Sequence, residues 1–265
     1  MKPVAFSYEF PQDLEHAARL VDEFSATPVA GCQSLGPMLN LRLARPEVLA
    51  DISNLEELRR VEETSDLVRY GAGVTHAEIE DGEVPDPTDG WLQTVAAEIA
   101  HRAVRNRGTL GGSLCHADPA ADWVLALTAL DATTILQGPN GDRRITVENF
   151  LIGPYATALG HGEILVAVEV ARPRPQARWG YWKFVRQAGD FAKASAAIFL
   201  DPERNLRRCV VGALGGPPLV LVGFDEYLVR EMTAIDLLHG ALPDRELGSL
   251  ALHAAALDRA REAVT

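Results

Sequence analysis

Arg105-Asn106-Arg107-Gly108-Thr109-Leu110-Gly111-Gly112-Ser113 and, well upstream of it, Val29-Ala30-Gly31-Cys32-Gln33-Ser34-Leu35 are the two stretches that decide how this chain is read. The first runs on to Asp118-Pro119-Ala120-Ala121-Asp122. Both combine small residues with hydroxyl side chains. Where Cβ is missing or small, backbone N–H groups can approach phosphate oxygens closely. Two such loops in one fold can grip both ends of a pyrophosphate, which points to a dinucleotide cofactor. No G-x-G-x-x-G follows a strand pattern, and there is no G-x-x-x-x-G-K-[ST]; these absences argue against a Rossmann domain and a P-loop nucleotidase. A single glycine-rich turn is weak evidence, since most are only tight turns, so the inference rests on the two loops together.

The bulk properties narrow the field. The chain has 265 residues, 47% hydrophobic and 23% charged, the balance of a globular protein large enough for two or three small units. A formal net charge of −12 repels nucleic acid and anionic membranes, so neither is expected as a partner. No run approaches the roughly 20 apolar residues of a membrane span, and Met1 to Phe6 lack a secretory apolar stretch, so a cytoplasmic protein is expected. The three cysteines, Cys32, Cys115 and Cys209, are far apart. They form no C-x-x-C and fall short of the thiolate set that an iron–sulfur cluster takes. No metal site is expected in this chain.

Working outward from the loops, residues 1–55 read as a β-α-β unit. It has a strand near Tyr8, a helix over Asp13–Phe24, a strand entering Ala30 and another at Val48–Ile52. Residues 56–172 read as a mixed unit. A strand is expected over Leu67–Val74, a loop over Asp81–Gly90, and helices over Leu92–Ala103 and Trp123–Asp131. A hairpin is expected about Gly138-Pro139-Asn140-Gly141, and an alternating strand over Ile164–Val170. Pro173-Arg174-Pro175 marks a linker. Residues 173–265 then predict a three-stranded meander (181–185, 194–200 and 209–214) and helices over 225–239 and 244–263. Trp91, Trp123, Trp179 and Trp182 read as packing residues, and Arg105 as a loop anchor. The fold class is α+β.

Five ordered motifs carry a family likeness. They are Ala30–Leu35 with Pro37; Arg42-Leu43-Ala44-Arg45-Pro46 followed by Asp51-Ile52; Arg105 to Asp122; Gly162-Glu163-Ile164-Leu165; and Lys183-Phe184-Val185-Arg186 with Gly189-Asp190-Phe191-Ala192. With them the chain resembles, over nearly its whole length, the FAD-binding medium subunit of the molybdenum hydroxylases. That family includes the aerobic carbon monoxide dehydrogenases and the FAD domain of xanthine dehydrogenase. The resemblance implies a PCMH-type FAD-binding fold of two α+β subdomains, with a C-terminal three-stranded sheet and helices.

It also implies roles. Val29, Ala30, Gly31, Cys32, Gln33, Ser34 and Leu35 match the first pyrophosphate loop, and Thr109, Gly111, Gly112 and Ser113 the second. Asp122 matches an acid near the adenosine half. Leu165 matches an apolar contact, Lys183 a cation close to the flavin, and Phe191 an aromatic that covers the isoalloxazine ring in some members. Ile99 and Ala100 fall where backbone nears that ring. The family usually has glycine at Cys32, so a side chain there must point away from phosphate or the loop must shift. Gln187 stands where a second arginine is common.

The implied function is that of an FAD-carrying electron-transfer subunit. It takes electrons from the 2Fe–2S clusters of a small partner, within a complex whose large subunit holds molybdopterin, as (αβγ)2, a heterohexamer. Two alternatives stay open: a stand-alone oxidoreductase of the same fold, and a flavin-free scaffold subunit. Covalent-flavin relatives place histidine in the first loop, and Ala30–Leu35 has none, so noncovalent FAD is expected.

Overall fold

The computed structural model describes residues 2–265. Strands β1 (Ser7–Glu9), β2 (Thr27–Val29) and β3 (Val48–Asp51) form a parallel sheet in the order β1-β3-β2. Helix α1 (Leu14–Phe24) joins β1 to β2 and α2 (Leu35–Asn40) joins β2 to β3. In α1, Leu14, Ala17 and Leu20 share one face. Asp13 caps it by accepting from the His16 N–H at 2.7 Å. Leu20 packs with Ala26 and Ala50 on one side of the sheet; Val29, Leu39 and Leu49 pack on the other. The first loop therefore leaves the sheet at the C-terminal end of β2, where a parallel β-α-β unit opens a crevice.

The middle of the chain supplies α3 (Glu56–Arg59), β4 (Val61–Glu63), β5 (Leu67–Gly71), α4 (His76–Glu80), α5 (Trp91–Ala97), α6 (Arg102–Arg105), α7 (Leu110–His116) and α8 (Asp122–Ala129). Next come β6 (Thr133–Gly138), β7 (Gly141–Thr146), α9 (Val147–Phe150), β8 (Leu151–Gly153), β9 (Ala156–Thr157) and β10 (Ile164–Ala171). The main sheet runs β4-β5-β10-β6-β7, antiparallel throughout, and β8 and β9 pair separately. The expected hairpin forms: Gly138 faces Gly141, whose φ of 93° only glycine adopts readily. Central β10 is buried from Ile164 to Val170, so its alternation is not expressed as inside and outside. The buried Glu169 carboxylate is satisfied by Arg144. Trp91, Trp123, Tyr70 and Phe150 are fully enclosed in the main core.

The single helix expected over Leu92–Ala103 is two helices. α5 stops at Ala97 and α6 starts at Arg102 because Ala100 takes a positive φ of 44°. Arg105 satisfies the broken segment by donating from Nη1 to the carbonyls of Ile99 (2.9 Å) and Ala100 (3.2 Å). It also forks onto Glu80 at 2.7 and 2.8 Å, as a loop anchor does.

The last part holds β11 (Arg178–Phe184), β12 (Ala194–Asp201), β13 (Leu206–Gly212) and β14 (Leu219–Leu221) in a meander. The three expected strands are present, and β14 adds a short fourth on the far side of β13. Helices α10 (Asp225–Leu228) and α11 (Ala234–Ala241) replace the single helix expected over 225–239; Arg230 at φ 67° separates them. Helix α12 (Leu247–Glu262) packs behind the sheet. β11 has two distinct faces. Trp179 stacks on Trp91, with centroids 5.4 Å apart and planes 7° from parallel. On the opposite face, a Cβ on Gly180 would lie 1.9 Å from the Ala260 carbonyl oxygen of α12. Trp182, read as a packing residue, is 43% exposed and packs at the surface with Arg259 over its ring at 5.8 Å.

Candidate functional site

The first loop presents unpaired donors. The backbone N–H groups of Gly31, Cys32, Gln33 and Ser34 make no hydrogen bond among the described residues. Cys32 at φ 58° and Ser34 in the right-handed region curl these groups into a concave run, a nest for an anion. The Gln33 side-chain amide donates back to the Gly31 carbonyl at 2.9 Å and holds the curl. Cys32 resolves the departure from glycine: its side chain packs with Phe6 and Leu35 against the Val29–Leu39–Leu49 cluster. Its Sγ sits 3.4 Å from where a Cβ on Gly36 would be, so the thiol points into the unit. Val29 is 3% exposed and belongs to the same cluster.

The second loop is built differently, which corrects the expectation that both loops offer backbone donors. The N–H groups of Leu110 and Gly111 donate to the carbonyls of Val74 and Ala72, each at 2.9 Å. That of Gly112 donates to the capping Thr109 Oγ1 at 3.0 Å, and that of Ser113 to the Thr109 carbonyl. These amides moor the loop to the end of β5. What remains for a ligand is the hydroxyl proton of Thr109 and the hydroxyl of Ser113, neither of which has an acceptor among the described residues. Gly111 is buried; a Cβ there would meet the Ala72 Cβ at 2.5 Å. Gly112 faces solvent, and its only close neighbour would be Thr109 Oγ1.

The two loops touch. A Cβ on Gly31 would lie 2.0 Å from the Arg107 carbonyl oxygen and 2.8 Å from the Gly108 Cα. Gly31 is required by this loop-to-loop contact, a tertiary reason that the sequence alone does not display. Beneath the second loop lies His76, 5% exposed, which accepts from the Trp123 indole N–H at 3.0 Å. Burial, with Arg105 nearby, pushes its imidazole down to about 4, so it is neutral.

A third cluster of expected residues centres on β11. Lys183 Nζ lies 2.9 Å from Asp122 Oδ1 and donates to the Glu98 carbonyl at 2.6 Å. The side chain of Lys183 is 4% exposed and that of Asp122 7%. The two residues expected to serve the cofactor, Asp122 and Lys183, thus form one buried pair. Burial raises the Asp122 carboxyl above its ordinary value, opposed by the charge of Lys183 and the hydroxyl of Tyr181. Tyr181, whose O–H donates to Asp122 Oδ1 at 2.6 Å, was not among the expected residues. Its signal was available: Trp179-Gly180-Tyr181-Trp182-Lys183 has a period of two, which places Tyr181 and Lys183 on one face.

The remaining candidates divide. Ile99 and Ala100 are partly exposed, with their carbonyls held by Arg105. Phe191, 54% exposed, sits on the loop between β11 and β12, and the His101 imidazole lies against Gly189 of the same loop. Leu165 is 3% exposed and packs in the main core, so it offers little surface to a ligand. Asp118 closes a turn onto the Ala120 N–H at 2.9 Å and accepts from the Tyr155 hydroxyl. Among the described residues, no group of three or more His, Cys, Asp or Glu could hold a metal ion. No described helix is long and apolar enough to cross a membrane.

Residues 4–173 match the family described as the FAD binding domain in molybdopterin dehydrogenase. The chain is 39% identical over 221 residues to the nicotine 6-hydroxylase medium subunit of Paenarthrobacter nicotinovorans, covering 81% of this chain and 77% of that one. It is 34% identical to the carbon monoxide dehydrogenase medium chain of Hydrogenophaga pseudoflava, covering 77% and 72%. A carbon monoxide dehydrogenase structure from the latter organism superposes with a TM-score of 0.90 at 28% identity, over 100% of this chain and 98% of that one. Quinoline 2-oxidoreductase from Pseudomonas putida 86 superposes with a TM-score of 0.85 at 31% identity, over 100% and 97%. The chain belongs to the FAD-binding medium subunits of the molybdenum hydroxylases, and its class is that of an oxidoreductase flavoprotein subunit. The site fits that cofactor. It has a free-amide nest suited to a phosphate, two free hydroxyls on the neighbouring loop that Gly31 touches at Arg107 and Gly108, and an exposed aromatic on the β11–β12 loop.

Proposed function

We propose that this chain is the FAD-carrying electron-transfer subunit of a three-part molybdenum hydroxylase. In that complex the electrons come from the 2Fe–2S clusters of a small subunit, and a large subunit holds molybdopterin, with two copies of each trio. The observation that carries the reading is the run of free N–H groups from Gly31 to Ser34, set against Thr109 and Ser113 by the Gly31–Arg107 contact. Bound FAD supplies the redox chemistry, and the protein supplies binding, orientation and tuning.

The residues take these parts. The N–H groups of Gly31, Cys32, Gln33 and Ser34, with Ala30 and Leu35 flanking them, hold one phosphate of the diphosphate. The hydroxyls of Thr109 and Ser113 hold the other, over the flat surface of Gly112. Lys183 and Asp122 serve one end together, beside the Ile99–Ala100 backbone, and Phe191 shields the ring system. No residue of the chain needs to move a proton for this role. The chain divides, in this reading, at residues 55 and 172. Its three cysteines are all free, which accords with a reducing, cytoplasmic compartment.

Support for the assembly comes from the relatives, two of which are named as medium subunit and medium chain. The test is direct. The purified chain should be yellow, and acid should release free FAD into the supernatant. Flavin retained in the precipitate contradicts noncovalent binding, and a colourless chain that takes up no FAD contradicts the reading altogether. Expressed with its genomic neighbours, the chain should co-purify with molybdenum and iron. Its flavin should bleach with the hydroxylase substrate only in their presence. Bleaching by this chain alone favours the stand-alone oxidoreductase.

A further inference from the structure

Asp122 and Lys183 belong to different parts of the fold. Asp122 is the first residue of α8, and Lys183 lies near the end of β11. Between them stands Tyr181, two residues before Lys183 and therefore on the same face of the strand. Three groups face the Asp122 carboxylate: the Tyr181 hydroxyl and the Lys183 ammonium from β11, and Glu98 from the end of α5. Both donors converge on one oxygen. Tyr181 donates to Oδ1 at 2.6 Å and Lys183 lies 2.9 Å from the same atom. Oδ2 has no partner among the described residues and keeps an opening to solvent. A carboxylate offers about four acceptor positions, so half of its capacity is left for something outside the chain. The Lys183 ammonium is also committed, to Oδ1 and to the Glu98 carbonyl, with the Glu98 carboxylate 4.0 Å away.

We propose that Tyr181 is a positioning residue of the cofactor site: by pinning Oδ1 of Asp122, it fixes Oδ2 as the acceptor for a hydroxyl of the bound ligand. This rests on the FAD reading above. FAD carries hydroxyls on two polyol segments, the ribose of its adenosine half and the ribityl chain of its flavin half, and an ionised carboxylate oxygen suits either. Glu98 and burial oppose ionisation of Asp122, while Lys183 and Tyr181 favour it. Removing the tyrosine oxygen therefore does two things. It frees the carboxylate to rotate, and it moves protonation of Asp122 to higher pH.

The test is FAD titration of the full chain after removal of its flavin. Tyr181→Phe should weaken FAD binding about tenfold, the worth of one hydrogen bond to a charged group. The same change made in an Asp122→Asn chain should cost nothing further. In Tyr181→Phe, FAD affinity should begin to fall at a higher pH than in the wild type as the solution is acidified. Titrations with ADP and with FMN then separate the two halves: a penalty confined to ADP assigns the ribose, and one confined to FMN the ribityl chain. An equal penalty with and without the Asp122 carboxylate overturns the proposal, as does an unchanged pH profile. If Asp122→Asn does not fold, the pH profile of Tyr181→Phe, which removes only one oxygen, decides alone. A wild-type chain that takes up no FAD is a different result, which overturns the flavoprotein reading itself.

Discussion

Adjacent glycines in the second loop do unlike work. Gly111 is buried against Ala72, where even a Cβ collides at 2.5 Å, while Gly112 opens to the surface. Gly111→Asp is therefore expected to unfold the loop. Gly112→Asp should leave a folded chain that has lost FAD, because in the proposed site its carboxylate would face the diphosphate. Like charges ~4 Å apart at an effective dielectric near 20 cost on the order of 4 kcal/mol, about a thousandfold in affinity. Circular dichroism and FAD titration of the two variants check the contrast; a Gly112→Asp chain that binds within a few-fold of wild type would show that surface to be no part of the site. His76 makes a second residue-scale prediction. It is buried neutral with its imidazole pushed down to about 4, against about 6.5 when unfolded. Between those values the unfolded chain binds the extra proton, so acidification through that window destabilises the fold, by about 3 kcal/mol at most. Urea midpoints measured from pH 7 to pH 4.5 should fall more steeply for wild type than for His76→Asn. Parallel slopes would show that His76 does not titrate with unfolding.

At the scale of elements, β11 is the joint of the molecule. One face carries Trp179, Tyr181 and Lys183 onto α5 and α8; the other lays Gly180 against the backbone of α12. A methyl group at Gly180 would sit 1.9 Å from the Ala260 oxygen, and backbone cannot rotate away as a side chain can. Gly180→Ala should therefore push α12 off the sheet and cost about 2 kcal/mol or more. Thermal melts should show that loss, and hydrogen exchange should place it in α12 and β11. A melting point equal to wild type would mean that the helix slides without penalty. The broken helix between α5 and α6 belongs to this scale as well. Leu92–Ala103 reads as one apolar, alanine-rich helix, and propensity alone cannot reveal that Arg105 and Lys183 take the carbonyls of Glu98, Ile99 and Ala100 from outside. Tertiary donors made the break affordable.

For the whole molecule, the proposed site takes its donors from two loops of different parts of the chain, so FAD binding there should be linked to global stability. At 100-fold excess over its dissociation constant, FAD should add about 2.7 kcal/mol to unfolding. For an ordinary domain of this size that raises the melting temperature by several degrees, in proportion to the logarithm of FAD concentration. A melting temperature indifferent to added FAD in the flavin-free chain would contradict the proposed site.

The sequence by itself determined the β-α-β start, the hairpin at Gly138–Gly141, the meander of the last part and the existence of two glycine- and hydroxyl-bearing loops. Each of these is written locally, in periodicity, in turn residues, or in runs of glycine and hydroxyl side chains. The tertiary structure alone decided how the loops divide their labour. Only the fold shows that Gly31 serves the Arg107 contact, that Leu110 and Gly111 spend their amides on Val74 and Ala72, and that the Cys32 thiol turns inward. It also decided that Asp122 and Lys183, 61 positions apart by their numbers, form one buried pair with Tyr181. The physical reason is the same throughout. A donor, an acceptor or an absent Cβ has its meaning only against the atom it faces, and those facing atoms come from distant parts of the chain.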